Sequence, residues 1–562
     1  MNHFMHQIIC QTTFLMAFFC FLSSANVFAE NLSKAAVSCR LEEKLLVSLG
    51  RSSTLIVENE KLIIPAAALN RFYRQWVYCL AWMENYKPIT AVDTLLKILH
   101  DSESEGLNPE DYHLEKIRTL IRDLNKTQEP ALFDIEKTVN LDILLTDAFL
   151  GYGSHLLSGR INLNALYSPK YKPKLEEWLL EPFLDALEQN NVEAFLTSLA
   201  PAHPAYTRLK QAIKRYRAAA ENGGWPIIAQ GFKRGERHPD IALLKTRLMI
   251  SGDLDILGEG ENDLFDENLE RAIQNFQKRH GIKEHGTLDK ETIEAMNIPV
   301  AGRIRQMELN MERWRWMPHD LGNRYVVVNI PAFDLNVFEG EKAIMHMRVI
   351  LGNRLQRTPP LSSKINAIEL NPFWKIPMSI AKNEVLPILK KDPSYLMREN
   401  IRIYSDWTNQ ARRLDPRTIR WKQITPERFP YRLVQAPGPS NPLGRIKFLL
   451  PNEFDVYIHD TPSKHLFQRD ARAFSHGCIR IERPLELAYY LLKNNPKWLD
   501  RIEEWIKKGK TKRIIVPEPI DTHIVYFTAW VEPNGAIQFR PDIYGADATL
   551  DWALSNRQFL AN

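Results

Sequence analysis

Between residues 31 and 222 the apolar positions recur with a helical period. In LDILLTDAFLGYGSHLL, Leu141, Leu144, Leu145, Ala148, Phe149 and Tyr152 fall at i, i+3, i+4, i+7, i+8 and i+11, a single apolar stripe. Segments 66–86, 90–100, 114–124, 174–199 and 205–221 are similar, which predicts a helical scaffold over 30–225. Asn222-Gly223-Gly224-Trp225-Pro226 interrupts the pattern. Beyond it, Ile241, Leu244 and Leu248, then Leu269, Ala272, Ile273 and Phe276, then Ile293 and Met296 predict a small three-helix module over 226–302. Asp240, Asp266 and Asp289 stand where its N-caps belong. A linker helix is expected over 303–323.

The period then changes to two. RYVVVNI, FDLNVF and HMRVIL read as strands, with Glu339-Gly340 as a turn, and IKFLL and FDVYIH follow the same alternation. Residues 371–431 are irregular, rich in Pro and punctuated by Trp374, Trp407 and Trp421; within a β domain over 324–510 such an insertion reads as a cap or lid. Pro484 to Leu492 should be helical. HIVYFTAWV and AIQFR flank Glu532-Pro533-Asn534-Gly535 as a hairpin, and residues 511–562 are expected to pack back on the scaffold or the β domain. The fold class is therefore α+β multidomain: helical scaffold, three-helix module, and a β-rich domain with a capping insertion.

Composition narrows the partners. The chain has 562 residues, 44% of them apolar, and a net charge of only +5, which does not suggest nucleic acid but would suit an anionic polymer such as a cell wall. Residues 1–29 look like a signal peptide: Phe14 to Leu22 is apolar and too short to span a bilayer, and Val27-Phe28-Ala29 precedes a plausible cut, although the n-region lacks Lys and Arg. Later apolar runs fall short of the ~18 residues a span needs, so export without a membrane span in the mature protein is expected. Removing that segment takes Cys10 and Cys20 and leaves Cys39, Cys79 and Cys478. Oxidising conditions would pair Cys39 with Cys79; two buried unpaired thiols is the alternative.

Cys478 lies in AFSHGCIR, near His459, His465 and His476. A working cysteine needs a base or a positive neighbour, because the thiolate is the nucleophile. Strand alternation in FDVYIH puts Tyr457 and His459 on one face, so His459 would take the thiol proton and hold negative charge on the sulfur near neutral pH. Gly477 lets the backbone approach closely, and the amides of Gly477 and Cys478 are candidates for an oxyanion site. Arg480, two residues on, would attract a carboxylate or simply pair with Glu482. A zinc set of His459, His465, His476 and Cys478 is chemically possible but lacks a recognisable ligand spacing. No cofactor or metal is expected.

A His followed nineteen residues later by Cys in Ser-His-Gly-Cys-x-Arg, with Pro442-Leu443-Gly444-Arg445 and Ile458-His459-Asp460-Thr461-Pro462 around it, resembles the YkuD-type L,D-transpeptidases, in their large Gram-negative branch. FDENLERAIQNFQKRHGIKEHGTLDKETIEAM resembles peptidoglycan-binding modules, of which some bind glycan and others only pack against neighbours; residues 231–299 are open to both. The resemblance implies Cys478 as the acylated nucleophile and His459 as base, oriented by the backbone carbonyl of Asp460. It implies Ser475, His476 and Gly477 as the oxyanion turn, with Tyr457 and Arg480 along the substrate groove. Trp374 is a candidate substrate contact, with Trp407 and Trp421, or else part of the lid's core. The implied reaction joins peptidoglycan stem peptides: Cys478 attacks the L-centre carbonyl of the third residue, D-alanine leaves, and a side-chain amine of another stem resolves the thioester into a 3→3 cross-link. Carbapenem susceptibility would follow from the same nucleophile. Hydrolysis (an L,D-carboxypeptidase), attachment of a protein amine to the wall, and a catalytically silent wall-binding scaffold are the alternatives.

Overall fold

The computed structural model describes residues 35–46, 55–85, 87–126, 134–163, 180–255 and 262–556. The expected signal peptide lies outside them, as do residues 174–179. The chain divides into two compact units, one of residues up to 320 together with 529–539 and the segment after 545, the other of 321–528 together with 540–545.

In the first unit, helices at Ala66–Gln75, Thr90–His100, Leu114–Lys126, Leu180–Glu188 and Val192–Leu199 share one apolar core with a longer one, α1 (Ile135–Ser158), while the helix Pro204–Glu221 packs against Val300–Arg315. The apolar stripe read from the sequence understates its burial. From Thr138 to Gly153 every residue of α1 is buried, Asp142 and Asp147 included. Those carboxylates are tolerated because loop amides and side chains saturate them. Asp142 accepts hydrogen bonds from the Ala81 and Trp82 amides at 3.1 and 2.9 Å and from the Tyr73 hydroxyl at 2.7 Å. Asp147 accepts from the Ile63 and Ile64 amides at 3.0 and 2.8 Å and meets His113 Nε2 at 2.9 Å.

The same unit contains helices at Asp240–Ser251, Glu267–His280 and Lys290–Met296 around their own apolar core. Asp266 and Asp289 cap theirs, accepting from the Leu269 and Thr292 amides. Asp240 does not: Pro239 occupies the cap position and Asp240 is already helical. Helix α2 (Val300–Arg315) begins earlier than expected, and the C-terminal helix Ala546–Ser555 packs against it, with Arg305 and Asp551 at 2.7 Å. Cys39 is free and exposed, so the expected bridge to Cys79 is not formed; Cys79 is disulfide-bonded, but not to Cys39.

The second unit is built on strands β1 (Arg324–Asn329), β2 (Asp334–Glu339), β3 (Lys342–Gly352), β4 (Leu361–Leu370), β5 (Trp374–Lys375), β6 (Ile401–Tyr404), β7 (Arg413–Leu414), β8 (Arg432–Gln435), β9 (Ile446–Leu449), β10 (Ile458–His459), β11 (Ala473–Ser475), β12 (Ile479–Ile481) and β13 (Lys512–Val525). Nine of them form one sheet, β11-β3-β12-β10-β9-β4-β13-β1-β2, and β2 also pairs with β3, so the ladder closes on itself. A helix at Pro484–Leu491 and others at Pro496–Leu499 and Ile502–Lys508 lie between β12 and β13. The insertion is not an irregular loop. It has a four-stranded sheet, β7-β6-β8-β5, short helices, and a core of its own that includes Ile380, Leu386, Leu389, Ile403, Trp421 and Leu433. Pro377 precedes a helix and Pro416 opens a 3₁₀ turn, positions where a missing N–H costs nothing. Beyond β13, the strands β14 (Ala529–Val531) and β15 (Ile537–Phe539) form the expected hairpin, closed by the Glu532 amide on the Ala536 carbonyl at 3.0 Å.

Candidate active site

Cross-strand register gathers the site. His459 on β10 lies opposite Lys447 on β9 and beside Arg480 on β12. Residues directly opposite share a face of a sheet. His459, Lys447 and Arg480 therefore project to the same side, joined there by Tyr457 and Cys478, which flank the strands by alternation. The Tyr457 and His459 rings are 5.6 Å apart, and Lys447 Nζ lies 3.7 Å from the centre of the Tyr457 ring.

The expected six-residue strand FDVYIH is mostly a turn. Asn452 explains it: its side chain donates to the Leu450 and Val456 carbonyls and accepts from the Phe454 and Val456 amides, while Asp455 adopts a positive φ of 55°. Such Asx geometry competes with the ladder. The turn brings the Asp455 carbonyl to 3.9 Å from Cys478 Sγ and sets the Tyr457 amide and hydroxyl against the sulfur.

His459 is buried and its Nδ1 is 2.5 Å from the Asp460 carbonyl. A carbonyl can only accept, so Nδ1 carries the hydrogen and Nε2 the lone pair. The Asp460 carboxylate accepts from the Arg445 amide at 2.8 Å and pairs with Lys464 at 2.6 Å. Gly444 makes that fit possible. A Cβ there would stand 2.3 Å from Asp460 Oδ2, and its φ is 62°. The Leu-Gly-Arg stretch thus locks the residue that orients the imidazole.

Burial dominates the electrostatics. It pushes the Cys478 thiol above its ordinary value, outweighing the Tyr457 hydrogen bonds and the Lys447 and Arg480 charges. Burial and then Arg480 pull His459 down to about 3, against the Asp460 carbonyl. The resting pair is therefore neutral thiol and neutral imidazole. That corrects the expectation of a sulfur already negative near neutral pH: the surroundings desolvate both charges more than they stabilise them.

The oxyanion expectation also changes. The Gly477 amide already donates to Ser475 Oγ at 3.2 Å, and the Ser475 hydroxyl donates to the Cys478 carbonyl at 2.6 Å. Among the described residues nothing accepts from the Cys478 amide, which is left as the available donor of the expected two. Thr358 Oγ1 donates to the Gly477 carbonyl at 2.8 Å, and Tyr544 caps the Gly352 carbonyl at 2.5 Å. His476 turns away from the sulfur and pairs with Glu384 of the insertion. Arg480 does not pair with Glu482, which is taken by Arg348 at 3.1 and 3.2 Å. Its Nε is sealed from solvent and bonds to nothing among the described residues. Of the two readings of Trp374, the lid-core one describes its packing: it lies half-buried against the insertion's core, where β5 pairs with β8. His465 is exposed, and among the described residues no three His, Cys, Asp or Glu side chains converge as a metal site would require.

With this geometry in view, comparison with known proteins is decisive on one point. Residues 323–512 match the family model described as "L,D-transpeptidase catalytic domain". The chain carries an L,D-transpeptidase catalytic domain. Two further models match the first unit, "Scaffold domain" at 67–213 and "Putative peptidoglycan binding domain" at 237–296. A Haemophilus influenzae protein named "Putative L,D-transpeptidase" is 36% identical over 293 residues, 51% of this chain and 58% of that relative, so the match spans little more than half of its length. A crystal structure of an L,D-transpeptidase from Xylanimonas cellulosilytica overlaps 53% of this chain and all of its own at 13% identity and a TM-score of 0.16. A fused Zn-dependent amidase/peptidase/peptidoglycan-binding protein from Clostridium acetobutylicum overlaps 24% of this chain and 69% of its own at 16% identity and 0.11. Both scores are too low to compare architectures. Among the described residues no helix is long and apolar enough to cross a membrane.

Lys447, Glu384, Thr358 and Tyr544 were not anticipated as parts of this site, and Gly444 was read only as part of the Leu-Gly-Arg context of the motif. Only the register of β9 with β10 would have exposed Lys447, by placing the Lys of GRIKFLL opposite a His.

Proposed function

We propose that this protein is a periplasmic, cysteine-dependent transferase that forms 3→3 cross-links between peptidoglycan stem peptides. Cys478 is the nucleophile and His459 the base. The observation that carries the reading is the imidazole locked by Asp460 with its lone pair on Nε2, on the sheet face that also bears Cys478.

Because both partners rest neutral, proton transfer accompanies attack instead of preceding it. His459 Nε2 takes the thiol proton as Sγ bonds to the L-centre carbonyl carbon of the third stem residue. The Cys478 amide meets the developing oxyanion, and the Arg480 charge favours negative charge at the sulfur and the adduct. Collapse breaks the bond to D-alanine, whose amine takes the proton from His459. The amine of a second stem then attacks the thioester, passes its proton to His459, and returns the thiol. The insertion, paired to His476 through Glu384, limits water at the thioester.

The test is incubation with disaccharide-tetrapeptide and mass spectrometry of the products. A cross-linked dimer with released D-alanine is expected, and Cys478→Ala should lower it by at least roughly 10⁴-fold. Tripeptide as the sole product would replace the transferase with a hydrolase.

A further inference from the structure

The functional reading leaves one cation on the active face without a task. Lys447 stands directly opposite His459 on one side and Glu369 on the other. A lysine facing a carboxylate across a ladder normally reaches for it. Here no carboxylate among the described residues lies within ion-pair distance of Nζ. The ammonium instead sits 3.7 Å from the centre of the Tyr457 ring. Tyr457 adjoins the Cys478 turn, its carbonyl accepting from the Ile479 amide at 3.0 Å. The half-buried ammonium thus stands over the ring next to the Cys478 turn, and among the described residues no hydrogen bond occupies its three donors.

Arg480 already supplies positive charge on the other flank of His459, so a second cation needs its own explanation. The two differ in kind. Arg480 Nε is sealed from solvent, whereas Lys447 is a compact charge on a flexible stem, half-exposed on the face a substrate would cross. The donor stem offers a matching group. Its terminal carboxylate lies one residue beyond the attacked carbonyl, a Cα step of about 3.8 Å. Adjacent strands are about 4.8 Å apart, so a residue one strand from His459 is at the right range for it.

We propose that Lys447 reads the terminal carboxylate of the donor stem peptide and so makes a free C-terminus a requirement for acyl transfer. The inference rests on the functional reading above. Bound there, the carboxylate accepts hydrogen bonds from Nζ and fixes the leaving residue relative to Sγ. On release, free D-alanine departs with that carboxylate.

The experiment compares a tetrapeptide donor ending in a carboxylate with the same donor ending in a carboxamide. The unsubstituted protein should prefer the carboxylate by roughly tenfold or more in kcat/KM. Lys447→Met, which keeps the stem's length over Tyr457, should abolish that preference by slowing the carboxylate donor alone. Lys447→Arg should restore part of it, and Arg480→Met should slow both donors equally. An unchanged or raised denaturant unfolding midpoint shows that each variant is folded, and stoichiometric labelling of Cys478 by a neutral alkylating reagent shows that its thiol is accessible. If Lys447→Met slows both donors by the same factor, Lys447 is only a packing cation over Tyr457 and the proposal fails. If the unsubstituted protein turns over neither donor, the functional reading itself falls.

Discussion

Asp142 is fully buried and Arg480 half-buried with its Nε sealed from solvent, and the molecule treats the two charges in opposite ways. The scaffold surrounds Asp142 with two amides and a hydroxyl, and Asp147 one and a half turns later with two amides and an imidazole. The sheet face around Cys478 leaves the Arg480 Nε and the Lys447 ammonium without an acceptor. A buried charge whose partners are all internal ties the fold together: the carboxylates of α1 fasten the loops at 63–64 and 81–82 that pack around it. A charge withdrawn from water with partners missing costs stability. An orphaned guanidinium nitrogen is not by itself the mark of a site, since Arg247, Arg303 and Arg315 of the first unit each have one; what sets Arg480 apart is that among the described residues none of its nitrogens has a partner.

The largest effect expected from that contrast is in the scaffold. Asp142→Ala leaves the Ala81 and Trp82 amides and the Tyr73 hydroxyl facing an empty space. The loss should be about 4 kcal/mol, read from denaturant unfolding. Burial already pushes the Asp142 carboxyl up to about 6, yet its three hydrogen bonds resist that shift. A loss under about 1 kcal/mol would mean that water replaces the carboxylate and that saturation is no guide to architecture.

Arg480→Met tests the other half. With no internal partner to orphan, an apolar side chain of similar length should leave stability unchanged or raise it by about 1 kcal/mol. Turnover should fall about a hundredfold, because the charge that favours the adduct at Cys478 is gone. A destabilisation above about 2 kcal/mol with little change in rate would reverse the assignment and make Arg480 structural.

The division between what the sequence disclosed and what it withheld follows the same physics. Strand alternation, the helical stripes and the capping Asp266 and Asp289 are local, and each was legible. So was the proximity of His459 and Cys478, through spacing and family resemblance together. What escaped depends on partners distant in the chain. Lys447 enters the site only through the register of β9 with β10. Gly444 matters because of the Asp460 carboxylate sixteen residues on. Residues 454–457 alternate as a strand should, but the Asn452 side chain outcompetes the ladder. The Gly477 amide looked free because nothing in Ser-His-Gly-Cys says that the serine will take it. The insertion read as irregular because prolines mark both loops and helix starts, and only its apolar core decides between them.

The smallest expected effect concerns a pair of a third kind, satisfied but exposed. His476 meets Glu384, which sits in a π-helical turn of the insertion at Ala381–Val385, and both side chains keep substantial contact with water, 33% and 52%. Exposed ion pairs are worth about 0.2–1 kcal/mol, less at high salt. A double-mutant cycle with Glu384→Gln and His476→Gln should give a coupling of about 0.5 kcal/mol that fades when salt is raised from about 0.1 to 1 M. Cys478 labelling by a neutral reagent should change less than about twofold, since the insertion's core, with Leu386, Leu389 and Trp421, does not depend on this contact. A coupling above about 2 kcal/mol would have to come from a desolvated pair. His476 would then hold the insertion down over Cys478, and exposure would rank below pairing as the feature that separates architecture from site.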